Sequence, residues 1–405
     1  MDKRRPRLAS LGSGILPAAL AFLPWEAAAQ SLRVTPEVAV ESRIFFDDAQ
    51  FEDQFEDAQG GFIFGGNVSW TSGDRKTRVL FEPYVRLDTE DEARNYADIR
   101  ELSVSRRMGD WDVLVGVSQV FWGVAESRNV VDVINQFDTI EDFDQGEKLG
   151  QPMVRISKRT GIGTFEAYYL PFFREQLFPS EEGRLRFDPP VNTDAAEFER
   201  DNEEWAGDFA LRYSNVFGNF DVGLHAFHGT SRTPFLAASD DFSELDPLYQ
   251  ELTQGGIDVQ YTKRSWLLKF EGAGVEVGGD TFFSSVSGFE YTFFDVKRSG
   301  FDIGVIGEYL YDDRDFALAP INVFENDVFA GTRITLNDIQ DTEVLAGAIV
   351  DTDTGGVIAS AEFQRRFGSS ILLEIEGRYF EGSGDPFVDP FADDSHLTLR
   401  LTRYF

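Results

Sequence analysis

From Leu32 onward the chain is a succession of runs, each about ten residues long, in which apolar and polar side chains alternate. Leu32, Val34, Val38, Val40 and Ile44 alternate with Arg33, Thr35, Glu37, Glu41 and Arg43. Val79, Phe81, Val85 and Leu87 alternate with Arg78, Glu82, Tyr84 and Arg86, and Trp205, Phe209, Leu211 and Tyr213 with Glu204, Asp208, Arg212 and Ser214. Phe301, Ile303, Val305, Tyr309 and Tyr311 face away from Asp302 and Glu308; Ile371, Leu373, Ile375 and Tyr379 face away from Glu374, Glu376 and Arg378. A period of two puts successive side chains on opposite faces of a strand. A chain built of little else predicts an all-β fold, a single transmembrane antiparallel β-barrel with polar side chains inward and apolar ones outward. The runs number about 18, with 16 as the alternative, and both counts are even, as such barrels require.

The connections alternate as well. Short ones fall at Thr71 to Arg75, Arg107 to Asp110, Lys158 to Gly161, Ser214 to Asn219, Thr262 to Arg264, Asp295 to Ser299, Asn337 to Gln340 and Phe367 to Ser369. Between them lie long ones, among them Asp47 to Gln59, Gly123 to Gln151, Arg174 to Glu203 and Glu381 to Asp394, with shorter members near Glu276 and Asp351. Short turns on the inner side and long loops outside are the habit of these barrels. Charge sorts the same way. Basic pairs such as Arg75-Lys76, Lys158-Arg159 and Arg365-Arg366 accompany the short turns, while the long loops are acidic. Bases at the short turns suit anionic phospholipid heads.

The formal net charge is −34, which argues against nucleic acid as a partner. Aromatic residues make up 14% of the chain, 39 of them Phe, at a slightly negative mean hydropathy of −0.26. A barrel can show so many rings to lipid and in interfacial girdles. There is no Cys, which removes disulfides and thiolate metal sites. Residues 1–29 read as a secretory signal peptide: Lys3, Arg4, Arg5 and Arg7, an apolar stretch, then Ala27-Ala28-Ala29. No other stretch has the 18 or so consecutive apolar residues of a membrane-spanning helix, so one barrel over 30–405 takes the rest of the chain.

The closing run, Ser395 to Phe405, sets Leu397, Leu399 and Leu401 against Thr398, Arg400 and Thr402 and stops on Tyr404 and Phe405. It resembles the C-terminal aromatic strand of bacterial outer-membrane β-barrels, which the barrel-assembly machinery reads as its signal. The most individual stretch is Val120 to Arg155. Trp122-Gly123, Asp132-Val133-Ile134-Asn135, Asp138 and Leu149 to Pro152 resemble, in order, a porin-like family of proteobacterial outer-membrane proteins whose substrate is unsettled. In that family a strand ends in W-G, the next loop carries D-V-[IV]-N-P-x-D, and L-x-x-P precedes the following strand; Gln136 stands here in place of the proline. Tyr168-Tyr169-Leu170-Pro171 and Pro179 resemble the same family's next outer strand.

Asn129 can cap a short helix through Val130, Val131, Val133 and Ile134. This third external loop is expected either to fold inward against the wall, where irregular backbone is tolerated beside water, or to lie over the top as a lid. Its acids Asp132, Asp138, Glu141, Asp142 and Asp144, with Asn135, face the inward-phase bases Arg78, Arg86, Arg100, Arg155 and Arg212 and are the candidates for a constriction and for selectivity. The expected function is passive passage of small hydrophilic or amphipathic solutes across the outer membrane, preferring cations. Two other classes compete. A surface hydrolase would need His225 or His228 to share a rim site with Ser231 and Asp240, without any nucleophile signature. A non-conducting structural or receptor barrel would have its lumen closed by loops. No cofactor or metal site is expected, since Asp142, Asp144, Gly146 and Glu147 lack the full calcium-loop pattern. Expected partners are outer-membrane lipids and lipopolysaccharide, the assembly machinery and small solutes.

Overall fold

In the first strand Leu32, Val34, Val40 and Ile44 are exposed while Glu41 and Arg43, on the opposite face, are buried. That inversion of the usual rule recurs around the molecule and gives the barrel an apolar exterior. The computed structural model describes residues 31–141, 146–386 and 388–405. The signal-peptide reading and the candidates Asp142 and Asp144 therefore lie outside the described residues.

The strands are β1 (Ser31–Phe45), β2 (Ala58–Thr71), β3 (Thr77–Asp88), β4 (Tyr96–Met108), β5 (Trp111–Ser118), β6 (Gln151–Thr160) and β7 (Gly163–Leu170). Next come β8 (Glu197–Phe198), β9 (Asp208–Phe217), β10 (Phe220–Thr230), β11 (Phe235–Ala238), β12 (Leu245–Tyr249), β13 (Glu251–Lys263) and β14 (Trp266–Val277). The last are β15 (Asp280–Phe293), β16 (Asp302–Asp312), β17 (Asn326–Thr335), β18 (Glu343–Asp351), β19 (Val357–Phe367), β20 (Ile371–Glu381) and β21 (His396–Tyr404). Eighteen of them form one closed antiparallel barrel. The exceptions are β8, β11 and β12, a small sheet contributed by the fourth and fifth external loops. Closure pairs β1 with β21 from Glu37 opposite Tyr404 to Phe45 opposite His396, and the Phe405 amide adds a bond of 2.9 Å to the Pro36 carbonyl. Closure leaves no unpaired edge.

All eight predicted short turns join strands at one end of the barrel, and the longer connections lie at the other. The connection near Glu276 is a two-residue turn, Gly278-Gly279, with φ of +58° and +82°. Two consecutive residues at positive φ match the right-handed twist of the strands they join, which is why glycine occupies both positions.

Two sequence expectations are corrected. Trp205 belongs to a 3-10 turn, Glu203–Trp205, and β9 starts only after Gly207, whose φ is +73°. More important, the inward face is not polar throughout. Phe227, Leu252, Val275, Phe282, Ile306 and Leu310 are buried in the inward phase of β10 and β13–β16. They are dry because the third external loop, described over 119–141 and 146–150, folds into the lumen and packs Val130, Val131, Val133 and Ile134 against them. Removing such side chains from water is worth roughly 1.5–3 kcal/mol each, so an apolar wall segment fixes where the loop rests.

Candidate functional site: the lumen and its inward loop

Trp122-Gly123, expected to end a strand, lies in the loop just past the end of β5 at Ser118. Trp122 is buried between Tyr168, His225 and the Arg212 guanidinium, with centroid distances of 5.6, 5.2 and 5.0 Å. Gly123 has φ +140°, and a Cβ there would stand 2.6 Å from Asn129 Cγ, so this position admits only glycine beside Asn129. The helix expected after Asn129 does not form. Val130 and Val131 lie in a turn closed by the Asp132 amide on the Asn129 carbonyl at 3.3 Å, and the chain stays irregular to Asn135 with its valines and Ile134 packed on the wall.

Asn135 ties the neck of the loop. Its Oδ1 accepts from the Val120 amide at 2.8 Å, and its Nδ2 donates to the Ser118 and Leu149 carbonyls at 3.0 and 2.9 Å. The front of the loop crosses to the far wall. Glu271 of β14 accepts the Val124 and Ala125 amides at 2.5 and 2.8 Å. Glu308 of β16 accepts the Glu126 and Ser127 amides, both at 2.8 Å, and the Ser127 hydroxyl at 2.6 Å. Glu126 in turn meets Arg333 Nη2 at 2.6 Å and Lys269 Nζ at 3.4 Å.

The back of the loop is held by charge. Arg86 of β3 donates to both Glu141 oxygens at 2.8 and 2.7 Å, and Arg400 of β21 reaches Glu141 at 2.5 Å and Glu41 at 2.6 Å. Asp138 pairs with Arg100 and accepts from Tyr96 Oη at 2.6 Å. Lys148 pairs with Asp132 and donates to the Val120 carbonyl at 2.7 Å. Burial works against the Glu141 carboxylate, but Arg86 and Arg400 outweigh it and hold its pKa below the ordinary range. Burial dominates at Asp132 and pushes it up to about 6 in spite of Lys148.

No known protein family and no curated protein matches the chain in sequence. Solved structures share its architecture. OccK7 (OpdD) of Pseudomonas aeruginosa matches with a TM-score of 0.52 at 9% identity, over 93% of this chain and 99% of its own. The BenF-like porin from Pseudomonas fluorescens Pf-5 gives 0.51 at 10% identity, over 92% and 98%; OccK11 (OpdR) of Pseudomonas aeruginosa gives 0.51 at 8%, over 92% and 96%. The chain has the fold of a porin.

Within this porin-like barrel the predicted site residues divide into two groups. Asp132, Asn135, Asp138, Glu141, Arg86 and Arg100 meet around the loop, where acids touch bases and do not face them across water. A lumen narrowed by the loop is a poor place for separated charges, and contact pairing offsets their burial. The other bases stand on the wall: Arg212 against Asp258 at 2.8 Å, Arg155 against Asp112 at 3.5 Å, and Arg78 exposed toward the short-turn end. His225 and His228 face opposite sides of the wall. The first lies inside against Trp122 and Gln254, the second outside against Thr253, and the Ser231 hydroxyl donates to the Thr233 carbonyl. These groups do not assemble a triad.

Two cavities follow one another between the loop and the wall formed by β17–β20. The outer, about 320 Å³, lies under loops four, five, seven and nine; the inner, about 430 Å³, lies beside Glu141 and Gly146; both touch Leu345 and Glu362. Apart from Glu141, the acids of the inner cavity were not chosen as site residues from the sequence, although Glu374 and Glu376 stood in the polar phase of their strand. Burial and the neighbouring Glu141 raise the pKa of Glu147 at its edge.

Proposed function

We propose that the protein is a passive outer-membrane channel for small hydrophilic or amphipathic solutes, with a preference for cations. The observation that carries this reading is the pair of adjoining cavities beside a loop braced within the lumen. A closed barrel of this strand number leaves room for an aqueous path, and the loop narrows that path without filling it. Apolar side chains around the exterior and basic short turns support insertion with the short turns facing the periplasm. Residues 1–29 are its export signal in this reading, and Tyr404 and Phe405 are what the assembly machinery binds.

The constriction is set by Asp132, Asn135, Asp138 and Glu141, with Arg86 and Arg100, which hold the loop in place, and by Arg78, Arg155 and Arg212 on the wall. The cation preference draws on the inner cavity. Glu141, Glu147, Glu343, Glu362, Glu374 and Glu376 line it against Arg43, Arg333 and Arg400. An acid excess in a narrow passage concentrates cations and repels anions. In a planar bilayer under a potassium chloride gradient, the reversal potential is expected to report cation preference. The preference should shrink at 1 M salt, where the Debye length falls to about 3 Å, and weaken in a Glu147→Gln, Glu374→Gln, Glu376→Gln triple variant. Anion selectivity, or a folded barrel that carries no current, would overturn the respective part of the proposal.

A further inference from the structure

The outer cavity differs in character from the inner one. Much of its wall is rings and aliphatic chains, including Phe178, Phe187, Phe324, Phe329, Ile349 and Phe391, and of the carboxylates at its edge Glu126 is paired with Arg333 and Lys269 and Glu362 faces the inner cavity as well. Three guanidiniums reach it, and two are engaged. Arg186 donates to the Glu181 and Phe187 carbonyls at 2.9 and 2.8 Å with Asp188 at 3.6 Å, and Arg378 grips Glu376.

The third, Arg128, makes no hydrogen bond and no ion pair among the described residues. Its contact is the Phe324 ring, 5.7 Å from centroid to Cζ. The carboxylate acting on it, Asp312, is already held on both oxygens by Arg314 at 2.7 Å. Yet Arg128 does not dangle, because Glu308 fixes the backbone of the two preceding residues, Glu126 and Ser127. In a chain with 71 acids and 37 Lys and Arg, a half-buried guanidinium without a carboxylate is a vacancy in the charge pattern.

Resting on the channel reading, we infer that this cavity is a binding site for an amphipathic monocarboxylate, its head on Arg128 and its apolar body among the rings. A carboxylate matches the planar fork of a guanidinium through two parallel hydrogen bonds. With Arg186 and Arg378 engaged, Arg128 alone cannot offset the desolvation of a doubly charged head in a largely apolar chamber, which selects a monoanion. The volume suits a small organic molecule, since pockets of about 300 Å³ and upward take such ligands. Seated there, the anion lies directly above the acid-rich inner cavity, so it lingers and obstructs the flow of small cations.

The test uses purified full-length protein and three soluble probes of one shape: 4-phenylbutyrate, the neutral 4-phenylbutanamide and 4-phenylbutylammonium. Block is read as a fraction of each protein's own open current in a planar bilayer. Binding is read independently by calorimetric titration into the protein in detergent. The expected result is block and binding by the carboxylate at concentrations at least tenfold below those needed for the amide or the amine. Arg128→Gln should raise the half-blocking concentration tenfold or more, and Arg128→Lys should restore most of the block. Equal block by the amide would reduce the site to an apolar cavity, and stronger block by the amine would reverse its sign; either overturns the inference. If Arg128→Gln does not fold, the lysine variant and the ranking of the three probes decide. Carboxylate binding in a barrel that passes no current overturns the channel reading and keeps the site. Current without carboxylate binding does the opposite.

Discussion

Asn135→Ala removes three hydrogen bonds at the neck of the inward loop while leaving the wall strands untouched. The Val120 amide and the Ser118 and Leu149 carbonyls lose the side chain that links them, 2.8 to 3.0 Å away. Asn135 is 1% exposed, so water does not replace it without the loop moving. Each buried group left unpaired costs about 1–3 kcal/mol. A combined loss of about 4 kcal/mol would make the loop open roughly a thousandfold more often. Amide hydrogen exchange of peptides from 119–150, followed by mass spectrometry in detergent, reads that opening directly. Peptides from β13–β16 serve as the internal reference and should be unchanged. Loop exchange within tenfold of the parent protein would refute the claim that Asn135 closes the neck, and would assign the loop's position to the wall glutamates and the ion pairs of its back.

Unboiled protein in detergent should migrate apart from boiled protein on electrophoresis, because a closed barrel has no free strand at which to unravel; identical mobility would contradict closure of β1 on β21. Deleting Phe405 should deplete the protein from the outer membrane while export continues, measured by membrane fractionation. It removes the terminal bond to Pro36 and an aromatic ring that is 70% exposed and thus free to be read. Glu175, in the fourth external loop, has its pKa raised to about 7 by burial and then by Glu204 and Asp194. A folded-state value above the unfolded one stabilises at low pH and is lost as pH rises through 7. Protease cleavage of that loop should therefore accelerate between pH 6 and 8, measured by the rate of nicking, and Glu175→Gln should flatten the profile.

The barrel was legible because its signal is local and repeated. Each strand carries its own alternation, and the eight short turns carry their own punctuation. Trp122-Gly123 and Asn135 stood out as a motif, but their work depends on what the chain brings to them. Nothing near Glu271 or Glu308 in sequence says that they accept amides from a loop far upstream. Ile306 and Leu310 break an otherwise polar phase, and only the loop packed over them explains their apolar character. The expected helix after Asn129 failed for the same reason: propensity and a capping residue are weak beside the burial of Val130, Val131, Val133 and Ile134 against the wall. The acids of the loop were found, but pairing is a property of three-dimensional neighbours, so their partition into contact pairs was invisible.

The acceptors for the front of the loop lie 146 to 182 positions later in the chain than the amides they hold. During biogenesis those amides must wait, hydrated, until β14 and β16 have been laid into the sheet. Loop-closure entropy grows only slowly with separation, so the delay costs little stability, but it imposes an order of events. The wall comes first and the loop last, so a change in the loop, or in either distant glutamate, can reshape the lumen while the cylinder around it is built as before.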